Sequence, residues 1–234
     1  MRYQLYYWTG IQGRGEFVRL ALEDAGADYV DVARLEGDHV MQAFLDGRMT
    51  GATPFAPPFL KAGRLVIAQV ANILHYLGPP LALVPKAESR RLHALQWQLT
   101  IADAVAEVHD SHHPIAGSLY YEEQRQEAAR RAENFRRQRL PRFLGYFERA
   151  LVAAGGRHPL GRHSYVDLSL FQLVRGLEYA YPQAMRKLAR RLPHLHALAD
   201  RVENRTNVAA YLASPRRLAF STQGIFRHYP ELDG

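Results

Sequence analysis

The segment from residue 50 to residue 77 constrains the fold of this chain more than any other segment. Two short apolar runs, at residues 59–60 and 65–67, flank a turn that contains Gly63. Glycine gives a turn its backbone freedom and the second run is rich in β-branched residues, so the pattern predicts a β-hairpin. A proline pair precedes the hairpin, where it lies outside the central ladder. Apolar residues then recur at helical spacing, at Ile73, Leu74 and Leu77.

Length and composition exclude several classes of protein. The chain has 234 residues, of which 47% are hydrophobic, and this suits one large or two modest globular domains. It has no cysteine, which excludes disulfides, thiolate metal sites and a cysteine nucleophile. No run of residues is long and apolar enough for a transmembrane helix, and the first residues lack a signal-peptide layout. These features predict a cytoplasmic protein without membrane association.

The chain is basic, with a formal net charge of +7 at pH 7 and a pI of about 9.8. Seven arginines lie between residues 125 and 142, and four glutamates are interleaved with this stretch or precede it closely. Mixed charges at helical spacing are typical of a solvated helix face rather than of a phosphate-binding stripe. We therefore expect no nucleic-acid partner.

The order of elements along the chain predicts an α/β unit followed by helices. Strand patterns cover residues 3–8 and 28–32, and helix patterns cover 15–25, 38–46 and the segment from Gln69 to Leu77. With the hairpin, the order is β-α-β-α-β-β-α. Glycine and prolines then mark a linker at 78–86. Beyond it, helix patterns occupy 86–113, 122–154, a segment from Ser164 and shorter pieces to about 212.

This order, with Pro58 before the hairpin and Gln69-Val70 at the start of the next helix, resembles that of glutathione transferases. In that family the X-Pro bond before the third strand is cis, and the third helix opens with Gln-Ser or Glu-Ser. The resemblance implies a thioredoxin-like domain followed by an all-helical C-terminal domain. We place them at residues 1–80 and 86–215, with a C-terminal tail at 216–234.

A second motif supports the resemblance. Ser164 and Asp167 form a Ser-x-x-Asp capping box at the start of a helix, where the family has the box that begins its buried helix. The segment from Asn207 to Arg217 also resembles the family's last helix and its exit. The resemblance therefore extends from Arg2 to about Arg217.

The family resemblance implies a thiolate-stabilising hydroxyl at the end of the first strand. A free thiol has a pKa of about 8.5, so a donor near the sulfur increases the reactive fraction at neutral pH. Tyr7-Trp8 matches the Tyr-aromatic pattern of the tyrosine-type classes (sigma, mu, pi and alpha), and it assigns Tyr7 to catalysis and Trp8 to glutathione binding. Tyr6 must point to the opposite sheet face. Thr9 is an alternative donor. Both tyrosines could instead be strand packing residues, but the family register favours a catalytic Tyr7.

The same register implies the rest of the glutathione site. Arg14 matches a catalytic position near the thiol, and Arg48 matches a basic residue that binds the glycine carboxylate. Asp103 matches an acid that reaches the glutathione amino group across a dimer cleft. Each of these three residues could instead be an ordinary solvated charge.

Two positions depart from the family pattern. Pro57 stands where a backbone N–H is expected, and Val70 stands where a serine hydroxyl is expected. Each lost hydrogen bond costs about 1 kcal/mol of binding free energy, so the two losses together lower the affinity for glutathione by roughly one to three orders of magnitude. Pro58, Gln69 and the helix N-terminus, which suits a carboxylate, are retained.

Histidines at the end of the long helix complete the candidate site. His109 and His113 fall where the family's second-substrate pocket lies, together with Thr9. A metal site would need a further ligand that the sequence does not supply, so no metal is expected. A partly exposed histidine cluster is the plainer interpretation.

The sequence thus predicts a homodimeric glutathione transferase that joins glutathione, as a substrate, to a small electrophile. The alternative is a member of the same fold that binds glutathione weakly or not at all and serves as a ligand-binding or protein-interaction module. Tyr7 and Gln69 favour the first hypothesis, whereas Pro57 and Val70 favour the second.

Overall fold

The computed structural model describes residues 1–49 and 51–234. Its N-terminal part contains a four-stranded sheet of order β2-β1-β3-β4. The strands are β1 (Tyr3–Tyr6), β2 (Tyr29–Asp31), β3 (Phe59–Ala62) and β4 (Leu65–Ala68). β1 is parallel to β2 and antiparallel to β3, and β3 and β4 form the predicted hairpin.

In the described residues of this part, four α-helices accompany the sheet: α1 (Gly15–Asp24), α2 (Val32–Glu36), α3 (Gln42–Leu45) and α4 (Val70–Leu77). A 3₁₀ turn at Asp38–Met41 precedes α3. Because side chains alternate along a strand, the sheet has two apolar faces. Leu5 packs on one face with residues of α1 and α4, whereas Tyr6 packs on the other with Val32, Phe44 and Phe59.

The remaining chain is helical. Its α-helices are α5 (Glu88–Asp110), α6 (Arg125–Asn134), α7 (Leu140–Ala153), α8 (Tyr165–Ala180), α9 (Pro182–Leu188), α10 (Pro193–Glu203), α11 (Thr206–Leu212) and α12 (Pro230–Asp233). The helix expected at 122–154 is divided by a π-helical segment, Phe135–Arg139, and is preceded by a 3₁₀ turn, Tyr121–Glu123. Trp97 of α5 is buried in the helical core and stacks on Phe147 of α7.

The capping box at the start of α8 is confirmed. The backbone N–H and the hydroxyl of Ser164 both donate to Asp167 Oδ2, at 2.9 and 2.8 Å. The following helix is buried along most of its length. Asp167 satisfies free donors and its charge complements the helix dipole, so the box explains where α8 begins.

The segment that we set apart as a tail packs into the helical core. Ile225, Phe226 and Leu232 are buried there, and the Ile225 carbonyl accepts a hydrogen bond from His112 Nε2 at 2.8 Å. The limits of the domains, at residues 80, 86 and 215, stay a prediction.

A buried ionic network joins α1 to the helical part. Arg19 pairs with Asp31 at 2.6 Å and with Glu16 at 3.3 Å, and the last contact has both side chains fully buried. Glu16 also accepts a hydrogen bond from the Tyr211 hydroxyl at 2.7 Å. Removing one partner from such a network leaves an uncompensated buried charge, so it fixes how α1 sits against α11.

The architecture is therefore a thioredoxin-like α/β part followed by an all-helical part, as the sequence predicts. Among the described helices, no stretch combines the length and apolar character needed to cross a membrane.

Candidate functional site

Tyr7 lies directly after β1 and is 4% exposed. Its phenolic oxygen accepts a hydrogen bond from the backbone N–H of Arg14 at 2.8 Å. Among the residues that the structure describes, no acceptor is recorded for its own O–H. The phenol thus has a fixed orientation, and its O–H can donate a hydrogen bond to a ligand.

Two glycines let the loop after β1 close over this phenol. Gly13 has φ +47°, a left-handed conformation, and a Cβ there would overlap the Tyr7 oxygen. A Cβ at Gly15 would lie 2.6 Å from the Tyr7 ring. Real side-chain atoms essentially never approach so closely, so both positions require glycine. Gly10 of the same loop has nothing within 4 Å of its missing Cβ.

The pKa of Tyr7 is raised above its usual value of 10, chiefly because burial disfavours the phenolate. The hydrogen bond from Arg14 and the positive charges of Arg14 and Arg19 act in the opposite direction and reduce this rise. Tyr7 therefore carries its proton at neutral pH and can act as a hydrogen-bond donor.

A cavity of about 710 Å³ lies next to this loop, between α4, α5 and the segment before β3. Five residues expected to form the site lie in its wall: Arg14, Pro57, Pro58, Gln69 and Val70. The peptide bond between Pro57 and Pro58 is cis. Arg14 links the two features, because its backbone holds the Tyr7 phenol and its side chain lines the cavity.

The start of α4 offers hydrogen-bond donors to this cavity. Gln69 precedes the helix with φ 71° and ψ 124°, a conformation that non-glycine residues rarely adopt, and no side chain caps the helix. Val70, Ala71 and Asn72 of the first turn line the cavity. Backbone strain of this kind clusters at binding sites, and free N–H groups at a helix N-terminus suit a carboxylate.

Other predicted residues lie outside this cavity. Arg48 pairs with Asp46 at 2.7 Å, and Asp103 is exposed on α5. Trp8 is 41% exposed, and the backbone N–H of Thr9 donates to Asp38 at 3.1 Å. Their roles stay predictions.

The histidines form a cluster at the C-terminal end of α5. The ring centroids of His109, His112 and His113 lie 4.7–5.5 Å apart. Burial lowers the pKa of His112 to about 3 and that of His113 to about 4. Burial also lowers the pKa of His109, and the charge of Arg14 contributes. These imidazoles are therefore neutral at pH 7, and His109 and His113 do not line the cavity.

Several lining residues were missed by sequence reasoning. They are Phe55, Ala56 and His75 together with the α5 residues Leu95, Gln98 and Leu99. The three α5 residues follow i, i+3, i+4 spacing, which was visible in the sequence. Periodicity marks such a stripe without indicating which neighbour it faces.

Comparison with known proteins supports the resemblance to glutathione transferases. The sequence model of the family "Glutathione S-transferase, C-terminal domain" matches residues 109–215. A glutathione S-transferase of Plasmodium falciparum (isolate 3D7) is 24% identical over 226 residues, covering 92% of this chain and 97% of that protein. Residues 109–215 thus match the C-terminal domain of glutathione S-transferases, and the chain as a whole is similar to proteins of that name. Glutathione S-transferase P 10 of Caenorhabditis elegans is 27% identical over 215 residues, covering 89% and 90%.

Solved structures share the fold of this chain. The Pi-class glutathione S-transferase of Onchocerca volvulus superposes with a TM-score of 0.70 at 23% identity, covering 90% of this chain and 92% of that one. Prostaglandin synthase D of Nilaparvata lugens superposes with a TM-score of 0.73 at 18% identity, covering 94% and 100%. At these identities the structures show a shared fold.

Proposed function

We propose that this protein is a tyrosine-type glutathione transferase that joins the glutathione sulfur to a small electrophile. The observation that carries the proposal is the Tyr7 phenol. It is buried and protonated, its lone pair accepts the Arg14 N–H, and its proton has no acceptor among the described residues. Such a group is a preorganised donor for an anion placed beside it.

The chemistry follows from that donor. A hydrogen bond from Tyr7 to the sulfur stabilises the thiolate over the thiol and lowers the thiol pKa from about 8.5. The thiolate attacks the electrophilic carbon, a C–S bond forms, and a leaving group departs with the bonding electron pair. The positive charge of Arg14, which lines the neighbouring cavity, favours the anionic sulfur.

The rest of glutathione would occupy the cavity wall formed by Pro57, Gln69 and Val70. Free N–H groups of α4 suit the α-carboxylate of the γ-glutamyl group. Pro57 offers only its carbonyl to the cysteinyl backbone, and Val70 offers no hydroxyl. We therefore expect affinity that is weaker than a complete set of contacts would give.

The test compares Tyr7→Phe with Tyr6→Phe in conjugation of glutathione to a chlorodinitrobenzene. Removing one such donor typically costs about 10²-fold in rate, and we expect this loss for Tyr7→Phe. The rise of kcat/KM with pH should also move to higher pH, because the thiol is no longer acidified. Tyr6 packs on the other sheet face against Phe44 and Phe59, so Tyr6→Phe controls for loss of a buried hydroxyl. Equal activities in wild type and Tyr7→Phe would refute the role.

We also propose a homodimer, formed across the face that carries the cavity. Phe55 at the cavity rim is 95% exposed, and Leu99 of α5 is 51% exposed. Side chains of this size rarely remain free in a cluster on a monomer surface. Light scattering should give twice the mass of the chain, and Phe55→Ser should lower it. A wild-type monomer at micromolar concentration would contradict the proposal.

The alternative, a ligand-binding member without transferase activity, is favoured by the two departures in the cavity wall. Pro57 and Val70 each remove one polar contact while leaving a large cavity. Isothermal titration with reduced glutathione separates the two functions. A dissociation constant in the millimolar range or below supports the transferase. The absence of binding heat at two temperatures, together with binding of an apolar dye, supports the ligand-binding member.

A further inference from the structure

A second cavity, of about 200 Å³, lies away from the glutathione site, between α10 and the loop that leads to α8. Its lining is rich in cationic and imidazole side chains and shares no residue with the first cavity. The lining residues are Arg157, His158, His163, Asp167, Leu198, Arg201, Val202 and Arg205.

The carboxylates at this cavity are already satisfied. Asp167 Oδ2 accepts the two bonds from Ser164, and Asp167 Oδ1 accepts a bond from His158 Nδ1 at 2.7 Å. Asp24 of α1 accepts bonds from His163 Nε2 at 2.8 Å and from Arg205 Nε at 2.5 Å. Little acceptor capacity therefore remains for additional donors.

Guanidinium donors are in surplus by contrast. Arg201 Nη2 donates to the Arg157 carbonyl at 2.5 Å, but Arg201 Nε is buried and has no partner in the described part of the chain. The Arg157 side chain likewise has no recorded partner among residues 1–49 and 51–234. Three arginines face two carboxylates, Asp24 and Asp167, so the charges leave a positive excess even with both imidazoles neutral. The buried Arg201 Nε lacks an acceptor, and a buried donor of this kind calls for a bound acceptor, for which the exposed Arg157 side chain offers further donors.

We propose that this cavity binds a phosphate group, either inorganic phosphate or a small phosphomonoester. A tetrahedral oxyanion presents several strong acceptors, and guanidinium forks match its geometry. Since a water occupies about 30 Å³ of liquid, the cavity has room for a phosphate and one or two waters.

A divalent cation is the main competing ligand. One ligand atom each from His158, His163 and Asp167 lies within 4.8 Å of the other two, and the bond from His163 to Asp24 resembles the outer support of a metal-bound imidazole. Three guanidinium groups in the same lining oppose a cation electrostatically. The charges therefore favour the anion.

Phosphate at this position would lie next to contacts that join α1 to the helical part of the chain. Arg205 of the helical part pairs with Asp24 of α1, and His163 pairs with the same carboxylate. A ligand that binds only the native chain stabilises it by mass action, so phosphate should raise the melting temperature in a saturable way.

The experiment titrates inorganic phosphate into the full chain at constant ionic strength, with chloride as the replaced anion. We follow heat and melting temperature for wild type, Arg157→Ala/Arg201→Ala and the control Arg142→Ala. Arg142 is an exposed arginine of α7, so Arg142→Ala removes the same kind of charge at a site away from the cavity. We expect saturable binding in wild type and control, and at least tenfold weaker binding in the double variant. Phenyl phosphate then tests whether an ester is accepted.

Three outcomes would overturn the proposal. The first is no saturable effect of phosphate on wild type, and the second is phosphate binding by the double variant as tight as that by wild type. The third is that wild type binds Zn²⁺ but not phosphate, and that His158→Ala loses the Zn²⁺ binding. If the double variant does not fold, Arg157→Ala alone serves as the test. That side chain is exposed, so the variant should fold, and it should bind phosphate more weakly than wild type. None of these readouts uses glutathione, so the result stands apart from the proposed transferase activity.

Discussion

The two ends of the candidate glutathione site are built differently. At the thiol end, Tyr7 is held by the Arg14 N–H, and Gly13 and Gly15 provide room that no other residue could. At the peptide end, Pro57 and Val70 occupy cavity positions where the family resemblance implies an N–H and a hydroxyl. The end expected to perform chemistry is tightly packed, and the end expected to supply affinity has fewer polar groups.

This difference separates rate from affinity. Only interactions that strengthen in the transition state raise kcat, whereas contacts to the distant peptide hold substrate and transition state alike. Changes at the thiol end should therefore act on kcat, and changes at the peptide end should act on KM.

The largest expected effect is that of Gly13→Ala. Its Cβ would overlap the Tyr7 oxygen and its φ of +47° disfavours alanine, so either the phenol or the loop must move. Misplacing a catalytic group by about 1 Å costs roughly 100-fold, and we expect such a loss in kcat with little change in glutathione affinity. Gly10→Ala, in open space in the same loop, should keep wild-type kinetics. Wild-type kcat in Gly13→Ala would remove the distinction between the two ends.

The next effect concerns the histidines beyond the thiol end. The folded-state pKa of His112, about 3, lies below the unfolded value near 6.5, so its contribution to stability is complete above pH 6.5 and is lost as the pH falls. Between pH 7 and pH 5 this loss amounts to about 2 kcal/mol. Urea unfolding should therefore show the stability gap between wild type and His112→Gln shrinking over that range. The gap to His39→Gln, at an exposed histidine, should stay constant. A pH-independent gap for His112→Gln would mean that folding leaves the pKa of His112 unchanged, so that burial does not keep its imidazole neutral.

A smaller effect is expected for Gln69→Gly at the peptide end. Glycine adopts the φ of 71° freely, and relief of roughly 1–3 kcal/mol of strain exceeds the entropic cost of glycine. The melting temperature should rise while glutathione binds less tightly. Ala82→Gly, at the other described non-glycine residue with positive φ, should also raise the melting temperature but leave binding unchanged. Stabilisation without loss of affinity would show that Gln69 does not contact the ligand.

Much of the fold was predictable because its signals are local. Strong periodicity and turn residues marked the hairpin, α1, α5 and the capping box of α8. Helix α2 was missed, since five residues are too few to show a helical period. The π-helix that divides the segment 122–154 was also missed. The spacing of charged residues does not indicate where a helical turn widens.

The site was predictable only in part. Arg14, Pro57, Gln69 and Val70 meet at one cavity because they lie next to the starts of α1, β3 and α4, which the resemblance places in register. The α5 wall depended on which helix face meets α4, and only packing decides this. The contacts of the last segment, such as that between Ile225 and His112, are equally non-local.

The smallest expected effect is that of Val70→Ser, which restores a hydroxyl at the peptide end. One added hydrogen bond contributes about 1 kcal/mol, so the glutathione dissociation constant should fall about fivefold with kcat unchanged. Val152→Ser, at an exposed position of α7, is the control. An unchanged dissociation constant would show that the ligand does not approach the start of α4.

The positions of the two tryptophans give this chain separate optical reporters. Trp8 follows Tyr7 and is half exposed, so its fluorescence should respond to iodide quenching and to ligands near the thiol end. Trp97 is shielded between helices and stacks on Phe147, so its emission should be blue-shifted and change only when the helical core opens. With Trp8→Phe and Trp97→Phe, occupancy and unfolding could each be followed by a single native fluorophore.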